Sequence, residues 1–286
     1  MATIWERLGA VPKYTFLGER FPRFITAFGP LFDGIKQVFC CGIDAEAATA
    51  ANIAVYGLGR LCLEDFAEIV FLTEHEYGYA AVKLLRGLYE RAVVNEVIVE
   101  DPTGEGSRFF NYYSVDNKKL NDRAKGVFKG WVGDPINAEA WFERYKEGYK
   151  YQPCSTCGQT PQRAWTKHGL DVLAGRLGET TNDQELRELG RELKKLYLLC
   201  ASIPNFHIHA SMASILSRLE DKSGVYVFKD GQEDLVEYAL SQAHGLIILA
   251  LHTQNQYFKL GLDAVLERLY RDRAVAWPAT DKPTRS

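Results

Sequence analysis

The run EYGYAAVKLLRGLYERAVVNEVIVEDP, residues 76–102, restricts the fold more than any other stretch of the chain. Its apolar residues Val82, Leu85, Leu88, Tyr89, Ala92, Val93 and Val97 recur every three or four positions, which is the period of an α-helix and not of a strand. Asp101-Pro102 closes the run, because a residue preceding proline is pushed out of helical backbone space. A helix with so wide an apolar stripe has to bury it against other elements.

Those other elements read as helices too. Residues 44–72 predict a long helix with apolar Ile53, Tyr56, Leu61, Leu63, Ile69 and Leu72, with Gly57 and Gly59 as points of bending or close approach. Residues 104–129 predict a third helix, basic through Lys118, Lys119, Arg123, Lys125 and Lys129. Gly133, Pro135, Pro153, Gly158 and Pro161 make residues 130–161 a loop-rich insertion with one short helix near 138–147. Further helices are predicted over 162–177, 182–202 and about 205–220, then a brief extended or hairpin element at 224–231. A last long helix follows, broken at Gly261. The first 43 residues, with prolines at 12, 22 and 30, read as an irregular, partly helical lead-in packing on the body, and residues 277–286 as a frayed tail. The expectation is an all-α, multi-helix antiparallel bundle forming one domain over residues 44–276.

At 286 residues and 47% hydrophobic content the chain can bury a substantial core. A net charge of −3 gives no global attraction to polyanions, so any nucleic-acid contact must be local. No membrane partner is expected, since no apolar run reaches the roughly 18–20 residues of a span. The N-terminus lacks a secretory pattern, and six cysteines are too few for a disulfide-built fold, so a reducing cytoplasm is expected. Nucleotide-loop, nucleophile-elbow, dinucleotide and zincin motifs are missing from the sequence.

Several residues could carry chemistry. Arg86 and Glu90 are four apart and share a helix face, as a surface pair, a structural polar network or half of a site. Cys154 and Cys157 have zinc-knuckle spacing, and His168 or the Cys40-Cys41 pair could add ligands to a structural zinc; free loop thiols are the alternative. Cys62, Cys200, His244 and His252 lie in apolar helical contexts and read as core or interface residues. Lys118, Lys119 and Lys125 are either solvated surface or a phosphate-binding strip. In PNFHIHAS, residues 204–211, helical geometry turns His207 and His209 about 200° apart, which excludes chelation of one metal by both. His209 is the one expected to enter a buried polar site, with His207 on the opposite face; Pro204 either kinks a helix or begins one.

Three stretches, LLRGLYERAV, AWTKHGLDVLAGRLG and LYLLCASIPNFHIHAS, occur in the order seen in a family of bacterial all-helical proteins of unknown function. That family resembles the HEPN superfamily of helical nucleic-acid-processing and defence domains, and the resemblance covers roughly residues 44–255. It implies a HEPN-like core, pairing into a homodimer, and metal-independent cleavage of RNA in a defence or toxin role. Asn205 and His209 match the Asn-x-x-x-His part of the superfamily motif, and Glu90 matches an earlier polar residue. Where those enzymes carry arginine this chain has Pro204, and Arg86 is the cation that could replace it from across the bundle. The resemblance then implies His209 as general acid or base, with Arg86, Glu90, Asn205 and Ser211 orienting it or binding phosphate, and no cofactor required. A non-catalytic helical binding or scaffold module, its helices locked by the same polar residues, is the alternative.

Overall fold

Three long helices carry the core of the computed structural model: α3 (Ala50–Glu74), α4 (Gly78–Glu100) and α11 (Glu233–Phe258). The model describes residues 14–39, 42–44, 46, 48–129, 138–149, 165–179, 184–209, 212–228 and 233–278. Around the central three lie α1 (Phe16–Arg20), α2 (Pro22–Phe39), α5 (Glu105–Val127), α6 (Ala138–Tyr145), α7 (Leu170–Arg176), α8 (Gln184–Tyr197), α9 (Ile203–Ile208), α10 (Met212–Leu216) and α12 (Asp263–Ala276). A hairpin of β1 (Leu219–Lys222) and β2 (Val225–Phe228), paired antiparallel with Leu219 opposite Phe228, is the sheet. The fold is the expected all-α multi-helix bundle.

The stripe of α4 does what its period dictates, for all seven of its apolar residues are buried. Tyr89 is fully buried, and its hydroxyl donates to the Leu193 carbonyl at 2.6 Å, so the one polar atom of a core ring is satisfied. On α3 the buried face is Val55, Leu58, Cys62, Leu63, Phe66, Ile69 and Val70, whereas Ile53 and Leu61 are exposed. Those two expected core residues lie on the outer side because alanines 51 and 54 and Gly59 supply the close-packing positions instead. A Cβ on Gly59 would fall 2.5 Å from the Gln254 amide, so α3 and α11 meet there only because no side chain intervenes.

In its described part, residues 14–39, the lead-in is more regular than Pro22 and Pro30 suggest. Pro22 is the first residue of α2, where its missing N–H costs nothing, and Pro30 is carried inside that helix. Phe24, Phe28, Leu31, Phe32 and Ile35 bury the helix in the main core, and Gly34 lets Leu269 of α12 approach. Trp277 closes this end, donating through Nε1 to His244 Nδ1 at 3.1 Å and packing on Phe21 and Phe24. Burial holds the His244 pKa down at about 3, so it is a neutral core histidine. Among the described residues, the predicted helix over 162–177 forms as regular helix in α7, and the hairpin begins earlier than expected, at Leu219. Helix α11 is long and apolar enough to cross a membrane by length and composition, contrary to expectation, but 61% of its apolar window is buried inside the bundle, as in a core helix.

Two acids are buried in this core among the described residues. Asp65 pairs with Arg91 across the α3–α4 contact. Glu96 meets the Thr253 hydroxyl, which also donates to the Leu249 carbonyl at 2.8 Å. One hydroxyl hydrogen cannot serve both acceptors, so a protonated Glu96 completes the set by donating in return. Burial pushes its pKa up to about 7.

Candidate functional site

The helix that begins as α8 runs into a π-helical turn, Leu198–Ser202, before continuing as α9. Pro204 explains this turn. Lacking an N–H, it cannot continue the regular ladder, and the Ile203 N–H reaches back five residues to the Leu198 carbonyl. The Leu199 carbonyl accepts instead from the Tyr238 hydroxyl at 2.6 Å. An extra residue in a helical turn rotates everything downstream by about 100°. Pro204 thus neither starts a separate helix nor makes a simple kink; the slip sets the direction in which Asn205 points.

Asn205 accepts a hydrogen bond at Oδ1 from the Arg86 guanidinium of α4, across the α4–α9 contact. Four residues on, the His209 N–H donates to the Asn205 carbonyl at 3.1 Å, and there the helix ends, with His209 in extended backbone. One asparagine therefore bonds both a half-buried guanidinium and the residue that carries an exposed imidazole.

This corrects the expected fates of the two histidines. His209 is exposed, while His207 is half-buried with Nδ1 shielded from solvent. The helix stops at Ile208, so the assumption of an opposed pair on a continuing helix fails at its second member. Burial, then the nearby Arg218 and Lys83 charges, lower the His207 pKa and keep that ring neutral near pH 7.

Glu90 is exposed, and among the described residues Arg86 pairs with Asn205 and not with it. The ion pair that α4 does form is that of Arg91 with the buried Asp65 of α3, which sequence reasoning missed; Asp65 in the apolar run LCLEDFAEIV was the available signal. Lys118 bridges to Asp122 at 3.1 Å and lies over the Phe142 ring, and Lys119 donates to the Tyr112 hydroxyl at 2.6 Å. No bond joins these lysines or the exposed Lys125 to Arg86, Asn205 or His209 among the described residues.

Ser211, Cys154, Cys157 and the Cys40-Cys41 pair lie outside the described residues. His168 is half-buried, and burial, then the positive charges of Arg176 and Lys167, lower its pKa. That surrounding charge disfavours a dication at His168. No group of three or more metal-ligating side chains occurs among the described residues. Cys62 and Cys200 are buried, as core cysteines should be. A cavity of about 630 Å³ lies elsewhere, between Ala50, Ser107, Asn111, Arg144 and Tyr145, and contains none of the residues singled out from sequence.

Comparison with known proteins gives one family. The model of DUF5677, a family of unknown function, matches residues 52–226. No curated protein and no solved structure matches the chain.

Proposed function

The chain belongs to the DUF5677 family, and from that premise we propose that it acts on RNA as a metal-independent, HEPN-like endoribonuclease with His209 as its acid–base group. One observation carries this reading: Arg86 is bonded to Asn205, whose own carbonyl holds the residue bearing an exposed imidazole. A cation from α4 is thereby supplied to the Asn-x-x-x-His segment in which Pro204 replaces arginine.

In such a reaction the 2′-hydroxyl of a ribose attacks the adjacent phosphorus. The 2′-oxygen–phosphorus bond forms, the bond from phosphorus to the 5′-oxygen breaks, and a cyclic phosphate and a 5′-hydroxyl result. His209 takes the 2′-hydroxyl proton or protonates the departing oxygen, and a copy in a second subunit serves the other step. Arg86 stabilises the charge that builds on the phosphoryl oxygens. Exposed Phe206, Ile208, Met212 and Leu216 flank His209 and are the surface a second copy would cover. A defence or toxin role is what the superfamily resemblance implies, and the sparse cysteines support a cytoplasmic setting.

The alternative, a non-catalytic scaffold, is favoured by one feature: Arg86 is engaged with Asn205, as a bond locking α4 to α9 would be. Expression of wild type and His209→Ala in the same cells separates the two. The ribonuclease predicts growth arrest and fragmented cellular RNA with wild type only, and cleavage by purified protein that persists in EDTA. Equal growth, intact RNA and no cleavage by the purified wild type would leave the scaffold.

A further inference from the structure

Next to the Arg86–Asn205 pair stands a second cationic group, which takes no part in making or breaking bonds in the proposed cleavage. Tyr79, Lys83 and Arg86 follow one another by four and three residues on α4 and so share a face. Arg218, in the turn leading into β1, lays its guanidinium 4.0 Å from the Tyr79 ring centroid. The Tyr79 hydroxyl donates to the Ser217 carbonyl at 2.9 Å, which ties this turn to α4. From the end of α9, the His207 ring meets Tyr79 edge-on at 5.4 Å.

The charges in this corner are unbalanced. Among the described residues, neither Lys83, Arg86 nor Arg218 has a carboxylate partner. The acids of the hairpin are engaged elsewhere: Glu220 with Lys222 at 3.6 Å, and Asp221 with the Gly224 N–H at 2.7 Å. Two polar atoms of the cluster, His207 Nδ1 and Arg218 Nε, are shielded from solvent with no hydrogen-bond partner among the described residues. Like charges gathered in one corner repel one another, and polar atoms buried without a partner cost free energy. A multivalent anion would relieve both.

We propose that Lys83, Arg218 and His207 form a phosphate-binding subsite beside Arg86, which holds a phosphoryl group of an RNA backbone or of a phosphorylated small molecule. The donors come from three segments, α4, the end of α9 and the turn into β1. Donors converging from separate directions suit a tetrahedral oxyanion better than a planar carboxylate, and a guanidinium fork matches two of its oxygens. The subsite goes beyond the proposed cleavage, since it holds phosphate whether or not His209 reacts. Within that cleavage, it is where a phosphate adjoining the scissile one docks.

Titration of the full chain with inorganic pyrophosphate and, separately, with a short single-stranded RNA tests this, with the His207 ring followed by NMR. Binding of either anion raises the His207 pKa by about 1 unit or more, because an opposite charge at short range favours its protonated form. Lys83→Gln, at an exposed position that the fold does not depend on, weakens binding about fivefold, and Arg218→Gln at least about tenfold, the larger loss reflecting a charge-assisted fork. Lys195→Gln, on the exposed side of α8, leaves binding unchanged. Weakening in the RNA arm identifies the strand backbone as the source. Weakening with pyrophosphate alone identifies a small phosphorylated ligand, which keeps the subsite and removes the RNA reading. If neither anion moves the His207 signals and Lys83→Gln binds as wild type does, the subsite is overturned; cleavage lost in His209→Ala would still stand.

Discussion

Helix α4 belongs to two environments, and the contrast between them separates what holds the protein together from what it offers to a partner. Towards its C-terminus Ala92 to Ile98 are all buried, enclosed by α3 and α11, and the charges there are either paired, as in Asp65–Arg91, or neutralised, as in Glu96. Towards its N-terminus the same helix presents Tyr79, Lys83 and Arg86 to a corner built from the end of α9 and the turn into the hairpin. There the helices are short, backbone regularity is interrupted at the π turn and again at His209, and Lys83, Arg86 and Arg218 have no carboxylate partner among the described residues. A core admits few polar groups whose charge is not cancelled or whose hydrogen bonds are not met; Asn95 is the exception here, its amide atoms buried without a partner among the described residues. A corner that keeps uncancelled charge costs stability and is suited to a ligand.

Substitutions should divide accordingly. Leu85→Ala or Phe66→Ala removes a fully buried side chain and should cost about 3–5 kcal/mol, measured by urea unfolding. An equal loss from Arg218→Ala would erase the distinction between the two regions.

The second effect is a pH dependence. Glu96 has its folded-state pKa raised to about 7 from an ordinary 4.5, so between those values the folded state holds a proton that the unfolded state releases. Stability is therefore highest below the unfolded pKa and declines as pH rises towards 7, by up to about 3 kcal/mol from this group. Glu96→Gln, which keeps the bond to Thr253 without a titrating proton, should flatten the curve over that window. An unchanged slope in the variant would mean that Glu96 is ionised in the fold.

The core could be read from sequence because it depends on repetition. A stripe such as Val82, Leu85, Leu88, Tyr89, Ala92, Val93 and Val97 states its face many times over, and one misplaced residue does not change the outcome. The same logic applied to α3 failed in part, since Ile53 and Leu61 are large and apolar yet point outward, while small Ala51, Ala54 and Gly59 make the contact. Hydrophobicity signals a face less well than size does where helices approach closely. The prolines of the lead-in misled in the same way: Pro22 begins α2, and the aromatic spacing of Phe24, Phe28 and Phe32 was the better guide.

At the site, local events decide, and a period cannot foresee them. Asn205 and Arg86 were both visible in sequence, but their meeting depends on a register slip caused by one missing N–H at Pro204. The exchange of exposure between His207 and His209 follows from a helix ending one residue before the second of them. Arg218 carried no local signal at all; its place over Tyr79 is a product of the turn into the hairpin.

The intermediate effect belongs to the boundary between the two regions. Asp65→Ala leaves Arg91 without its partner, but Arg91 is a third exposed, so the cost should be about 1–2 kcal/mol and not that of a wholly buried pair. Thermal unfolding of Asp65→Ala and of Asp65→Asn measures it, the second retaining one hydrogen bond.

Smallest of all should be the changes at the corner. Arg86→Ala breaks one partly exposed hydrogen bond and should cost about 1 kcal/mol, and His209→Ala no more than about 0.5 kcal/mol. If Arg86 serves only to lock α4 to α9, Arg86→Lys, which can still donate to Asn205, should restore whatever Arg86→Ala loses in both stability and RNA cleavage. If the guanidinium also meets the phosphoryl oxygens, Arg86→Lys should regain stability while cleavage stays low, because an ammonium cannot make the bidentate contact. Unfolding curves and cleavage rates on the same three proteins distinguish these outcomes. Stability and activity moving together across the series would assign Arg86 to the framework of the bundle and leave His209 without its cation.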